Sequence, residues 1–269
     1  MPAVAPGLLY AVLGAYFWHT RWHSSPPQES SMQPWERQAI ALALLLHGAD
    51  LYSDMFGEKG MRFSFSIAIS LIAWLAVLIY LLESFKARMD GLQAMVMPIA
   101  AIGVILTLAF PQTHAIAHTA SWAFRLHFMA GMLAYSLFTL AALHAIFMSI
   151  AERGLHSAKF NKRLSSFPPL LAMEALLFRM IGAGFALLTL ALGSGIAFSE
   201  DIFGHPAPLT HKTIFALLSW CIFAALLVGR HLRGWRGRIA LRWTLAGFLT
   251  LFLAYIGSRF ISEVILGRI

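Results

Sequence analysis

With one cysteine, Cys221, in 269 residues, the chain has no second thiol for a disulfide, a CxxC redox pair or a thiolate metal site. Charge is scarce as well: Asp, Glu, Lys and Arg make up 12% of the chain against 59% hydrophobic residues, and the mean hydropathy is +0.72. That is too little polar surface to coat a soluble globule of this length, so a water-soluble fold is excluded. Also missing are a Ser/His/Asp order near an elbow, a phosphate-cradling glycine loop and an acidic pair placed for hydrolysis. These gaps exclude the familiar hydrolase and nucleotide-binding patterns.

What the chain does contain is a series of long apolar runs. Phe63 to Leu82 and Gly91 to Phe110 carry no charged residue, and each matches the ~20 residues a helix needs to cross a ~30 Å hydrocarbon core. Such segments must satisfy their backbone groups internally, which makes them helices. Spans are expected near residues 3–19, 38–54, 63–82, 91–110, 126–150, 180–198, 213–229 and 243–262. The fold class is therefore all-α, a polytopic integral membrane helix bundle of about eight transmembrane helices in a single membrane domain over residues 1–269. No basic residue precedes the first apolar run, and Arg21 follows it, so this run reads as a retained span and not a cleaved signal.

Fourteen of the 20 Lys and Arg fall in one set of alternate connections, which places both termini outside. The net charge of +8 is then mostly a basic belt facing anionic lipid, and nothing interleaves it with stacking aromatics as a nucleic-acid surface would. The longest inner connection, HSAKFNKRLSSFPPLLAMEALLFRM, turns at Pro168 and Pro169. Beyond them it reads either as a helix along the interface or as an extension of the sixth span.

Histidine is where chemistry is expected, because eleven imidazoles in a membrane chain are many and ionisable groups at depth are costly unless buried in the bundle. His47 lies about ten residues into the second span, with Asp50 and Asp54 on the same face at i+3 and i+7. A carboxylate one turn away would fix the tautomer of the imidazole and raise its basicity as a ligand; the alternative is a packed His bonded to a neighbouring helix. His127 opens the fifth span in RLHFMAGMLAYSLF, and Gly131, Ala134 and Tyr135 follow beneath it. Small side chains there would admit a flat macrocycle, or simply a second helix at close range. His211, just before the seventh span, and His231, at its inner end among arginines, complete the set. Two His-x-x-x-His pairs, His19 with His23 and His114 with His118, would chelate a metal if helical, but neither has a third ligand at zincin spacing.

Three segments together carry a family resemblance: HKTIFALLSWCIFAALLVGRHLRGWRGRIALRWTLAGFLTLFLAYIGSRF, RLHFMAGMLAYSLFTLAAL and LLLHGADLYSD. They resemble the cytochrome c assembly protein family, which includes the haem-handling membrane subunit of the system II cytochrome c synthase. The match is to its compact YpjD/HemX-like branch of small bacterial inner-membrane proteins. The resemblance covers nearly the whole chain and implies His127 as an axial ligand to haem at the outer surface. It puts His47 in the place of the membrane-embedded His of the early spans, and His231 about one helical turn beyond the second membrane His. The chain departs from the family in two places. The tryptophan-rich outer loop is reduced to FGHPAPLTHKTIFALLSW, which keeps Lys212 and Trp220, and no His follows the last span in SRFISEVILGRI. Both departures argue against full synthase activity.

The function expected is a haem-binding or haem-handling inner-membrane protein that supports cytochrome c assembly by holding or presenting b-type haem, not by catalysing bond changes. Imidazoles from two helices commonly hold such iron, with an apolar pocket around the porphyrin and basic groups meeting its propionates. His127 would supply one axial nitrogen. The other would come from His211 or His205 at the outer surface, or from His47 deeper in the bundle, with Arg125 or Lys212 at the propionates. Expected partners are haem, a cytochrome-maturation or other membrane protein, and the bilayer, with no nucleic acid. The alternatives are a membrane scaffold or assembly factor without cofactor, and a small secondary transporter, although no internal repeat relates the first four spans to the last four.

Overall fold

A computed structural model describes residues 4–23, 32–57, 60–111, 113–115, 121–155, 168–198 and 210–265. Among these are eight long helices. They are α1 (Val4–Phe17, followed by wider turns over Trp18–His23), α2 (Pro34–Met55), α3 (Phe65–Glu83), α4 (Gln93–Ala109), α5 (Trp122–Leu155), α6 (Leu170–Ala197), α7 (His211–Arg233) and α8 (Arg238–Phe252, continued by further helical turns to Ile265). Three short antiparallel strands, β1 (Phe56–Gly57), β2 (Gly60–Phe63) and β3 (His114–Ala115), tie the α2–α3 connection to the α4–α5 connection; Phe56 faces Met61 and Arg62 faces Ala115.

The chain is a polytopic helical membrane protein. Among the described residues five helices, α3, α5, α6, α7 and α8 with its continuation, are long and apolar enough to cross a membrane. The 17-residue α4 is apolar but shorter, and α2 carries Glu36, Arg37, Asp50 and Asp54. Outward faces are apolar even on the shorter helices, as at Leu8 and Val12 of α1 and Ile102 and Ile105 of α4. The 34 residues of α5 extend about 50 Å, more than the hydrocarbon core is thick. Residues Leu170–Ala197 form one unbroken helix, so the stretch after Pro169 extends the sixth span. Glu174 is buried there and pairs with Arg230 at 3.4 Å and Arg236 at 3.5 Å; a helix lying along the interface would present it to water.

Packing falls into two groups joined at one seam. In the first, α1 lies on α4 and α2, and α3 packs on α2 and α4. In the second, α5 runs along α6 and touches α8, while α7 packs on α6 and α8. The seam is α3 against α5. At the centre of the second group, the Phe223 ring of α7 stacks on the Phe138 ring of α5, centroids 3.9 Å apart and 13° from parallel. Glycines close both sides: a Cβ at Gly247 of α8 would stand 2.8 Å from Phe223, and one at Gly184 of α6 would stand 3.1 Å from Phe138. Only bare backbone allows four helices to close on two stacked rings.

Polar caps hold the ends. Ser64 accepts the Ile67 N–H at 3.2 Å to start α3, and the Glu263 carboxylate at the end of the α8 continuation accepts the Phe65 N–H at 2.9 Å. The basic turn between α7 and α8 closes on Gly234, whose φ of 66° suits glycine, with Gly234 N–H on the Arg230 carbonyl and Trp235 N–H on the Gly229 carbonyl. At the foot of α2, Glu36 is buried, and its two carboxylate oxygens accept from Nη2 of Arg21 (3.0 and 2.8 Å) while one also accepts the Gln33 N–H at 2.8 Å.

Gly247→Ala is expected to push Phe223 off Phe138 and cost about 1–3 kcal/mol, seen as a lower melting temperature of the purified protein in detergent. Glu36→Ala, which strands a buried guanidinium, is expected to cost about 3–5 kcal/mol in the same melt, and Glu36→Gln less.

Candidate functional site

His127 sits in the second turn of α5 and turns toward the last turns of α6. Its Nδ1 lies 3.0 Å from the Ala191 carbonyl and 3.4 Å from the Ser194 hydroxyl, and its ring rests on Gly195, where a Cβ would stand 3.0 Å away. A carbonyl only accepts, so in the neutral ring Nδ1 carries the proton and donates, and Nε2 carries the lone pair. This is the arrangement by which a backbone oxygen fixes an imidazole for service as a metal ligand.

Gly131 lies on the same face one turn further on, with open space where its Cβ would be. Ala134 is buried, and Tyr135 is held below by its hydroxyl donating to the Leu251 carbonyl at 2.8 Å.

Other expected residues stand at the same end of the bundle. His211 and Lys212 open α7 and are exposed, as is Arg125 two residues before His127. The Trp220 indole of α7 donates to Thr189 of α6 at 2.8 Å; from that point, nine residues of antiparallel α7 carry His211 about 13 Å back toward the His127 end. His211 therefore lies a turn or two beyond His127, across the end of α6. Lys212 feels both Arg259 and Glu263 of the α8 continuation, which closes this end from the far side. His205 lies outside the described residues.

His47 belongs to a different packing. It is 1% exposed, its Nε2 lies 2.8 Å from the Ser70 hydroxyl of α3, and the Tyr10 ring of α1 meets it edge-on at 5.6 Å. Ser70, and not the expected Asp50, orients this imidazole. Its Nδ1 and the Tyr10 hydroxyl are buried without a hydrogen-bond partner among the described residues. Ser70 is five residues from the start of α3, so His47 lies about 8 Å below the end that Glu263 caps, above the middle of the bundle. Beside it an apolar groove of about 310 Å3 separates α2, α3 and α5, lined by Gly48, Trp74, Phe128 and Met132 among others. Neither His47 nor His127 lines that groove.

His231 is exposed at the opposite end of α7, about 30 Å along the helix from His211. His19 falls in the wider turns after α1, and His114 lies in β3, where the helical spacing of a chelating pair does not hold; His118 lies outside the described residues. Among the described residues, no group of three or more His, Cys, Asp or Glu is placed to hold a metal ion.

Among the described residues, one histidine escaped the sequence reading. His144, mid-α5, is 1% exposed and bonds through Nε2 to the Met173 carbonyl of α6 at 2.9 Å, with Nδ1 buried and unpartnered among the described residues. Its signal was a lone ionisable residue inside an apolar run. Ser70, Glu36 and Glu263 were missed because their partners lie 23, 15 and 198 residues away.

The profile of the cytochrome c assembly protein family matches residues 35–266, a stretch that holds His47, His127, His211 and His231. The chain belongs to this family. Similar proteins include the inner membrane protein YpjD of Escherichia coli (strain K12), 27% identical over 86% of this chain and 89% of that one. They also include two cytochrome c biogenesis proteins named CcsA. That of Gloeobacter violaceus is 32% identical over 34% of this chain and 27% of its own, and that of Guillardia theta 29% identical over 51% of each. No solved structure matches the chain. Within this family member, the best-defined histidine geometry at the shared end is that of His127.

Ser70→Ala removes the hydrogen-bond partner of a buried imidazole. It is expected to cost about 1–3 kcal/mol in a detergent melt while leaving the His127 end unchanged in hydrogen exchange.

Proposed function

We propose that this protein supports cytochrome c assembly in the bacterial inner membrane by holding a b-type haem at the end of the bundle where His127, His211 and Lys212 meet. In this reading the chain is one membrane domain of eight spans with both termini outside, and the His127 end faces outward, away from the arginine-rich turns. Family membership and the names of the relatives support the setting. The observation that carries the reading is the His127 imidazole, oriented by the Ala191 carbonyl so that Nε2 bears the lone pair, one turn from the open space at Gly131.

A haem bound here would supply a redox-active iron and a porphyrin to be passed on. The chain's own residues would do the holding. His127 would hold the iron through one imidazole nitrogen, His211 or His205 would supply a second from the start of α7 or the connection before it, and Arg125 and Lys212 would meet the propionates. His47, locked to Ser70 in the other packing group, is better placed for a separate and deeper role in the membrane than as the partner of His127. The residues present fit holding and presentation.

The same contacts favour one competing reading, a cofactor-free assembly scaffold, because His47 and His144 are each spent on a neighbouring helix. The absorption spectrum separates the two. Purified protein supplied with haem is expected to show sharp dithionite-reduced bands of bis-imidazole haem b. His127→Ala should abolish or shift them, and Gly195→Ala, which crowds the ring, should shift them. A flat spectrum from folded protein would favour the scaffold.

A further inference from the structure

At the arginine-rich end, a cleft of about 290 Å3 lies between the last turns of α5 and the first turns of α8, lined by Ser149, Glu152, Arg153, Arg238, Leu241 and Arg242, with Leu245 below. We propose that this cleft is a binding site for the phosphodiester headgroup of an anionic membrane phospholipid.

Its charge fits. Three guanidiniums face one carboxylate, and Glu152 is engaged by Arg238 at 2.9 Å, so Arg153 and Arg242 make no ion pair among the described residues. Two such forks converging on one cleft match the paired oxygens of a phosphate in a way that point charges do not.

Its shape fits a lipid better than a free ion. Below the polar mouth the floor is Leu241 and Leu245, and the same face of α8 continues one turn on to the exposed Leu249. On the α5 side, Ile146 and Ile150 are also partly exposed. A headgroup in the mouth would thus have a continuous apolar track for its acyl chain; inorganic phosphate has no use for one.

Its depth fits too. The cleft sits where a 50 Å helix outruns the hydrocarbon core, close in sequence to Trp235 and Trp243, whose rings pack 5.2 Å apart in the kind of aromatic pair that marks a membrane interface. Basic pockets between spans are a recurrent form of lipid recognition.

Native mass spectrometry of the full chain in detergent, titrated with phosphatidylglycerol, tests the site. One tight adduct is expected for the parent protein and none of comparable strength with phosphatidylcholine. The Arg153→Gln, Arg242→Gln double variant should bind about thirtyfold more weakly, the loss expected for two guanidiniums at a membrane surface, while Arg62→Gln at the opposite end should bind as the parent does. Inorganic phosphate should not displace the lipid. Equal binding by the double variant would overturn the proposal in favour of a diffuse basic belt, and displacement by phosphate would overturn it in favour of a free-anion site. If the Gln pair does not fold, Arg153→Lys with Arg242→Lys keeps the charge and removes the forks: weakened binding supports the site and unchanged binding overturns it.

Discussion

A polar hydrogen inside a membrane bundle must find an acceptor within the protein, because the hydrocarbon offers none. This chain meets that constraint in a repeated way. Trp74 donates to the Leu44 carbonyl, Tyr135 to Leu251, Ser219 to Gly247 and His144 to Met173, each reaching from one helix to the backbone of another. A helical carbonyl has a second lone pair left after its own helix bond, so every helix surface is a ladder of unused acceptors. Where lipid is as apolar as the side chains, such bonds and close backbone contact are what select one helix pairing over another. Gly247 shows the two devices together: its carbonyl takes the Ser219 hydroxyl while its missing side chain admits the Phe223 ring.

The candidate site depends on the same interaction. The bond from His127 to the Ala191 carbonyl belongs to this set of cross-helix contacts, and its by-product is a lone pair on Nε2. The end of the bundle where this occurs is closed by charge: Glu263 reaches from the tail of α8 to the first N–H of α3 and is held by Arg259 at 2.5 Å, with Lys212 nearby. One carboxylate thus both holds a guanidinium and caps a helix. The arginine-rich end is built differently, with Glu174 and Glu152 each answering arginines from the α7–α8 turn.

Much of the architecture was legible in the residues alone. Each apolar run lies on a helix, with ends within about five residues except at α6, which begins ten residues before the run read from 180, because burial in lipid demands a minimum length of uncharged helix and little else. The extension of α6 to Leu170 was one of two open readings, since a stretch holding Glu174 and Arg179 reads as interfacial until a partner is known. That partner, Arg230, lies 56 residues on. His127 was legible as a ligand candidate from its place and its small neighbours. The placing of Tyr135 below it was not, because its hydroxyl is fixed by a carbonyl 116 residues away.

Composition by itself determined that this is a helical membrane protein, and the resemblance of three segments to the cytochrome c assembly family, together with local spacing, picked out His47, His127, His211 and His231. Tertiary structure alone decided how those histidines are used. His47 is oriented by Ser70 and not by the aspartates on its own face, whereas His127 is oriented by α6 toward an end it shares with His211 and Lys212. The reason is physical: an imidazole's tautomer and direction are set by the acceptor it meets across a helix interface, and no spacing within one helix specifies which carbonyl that will be.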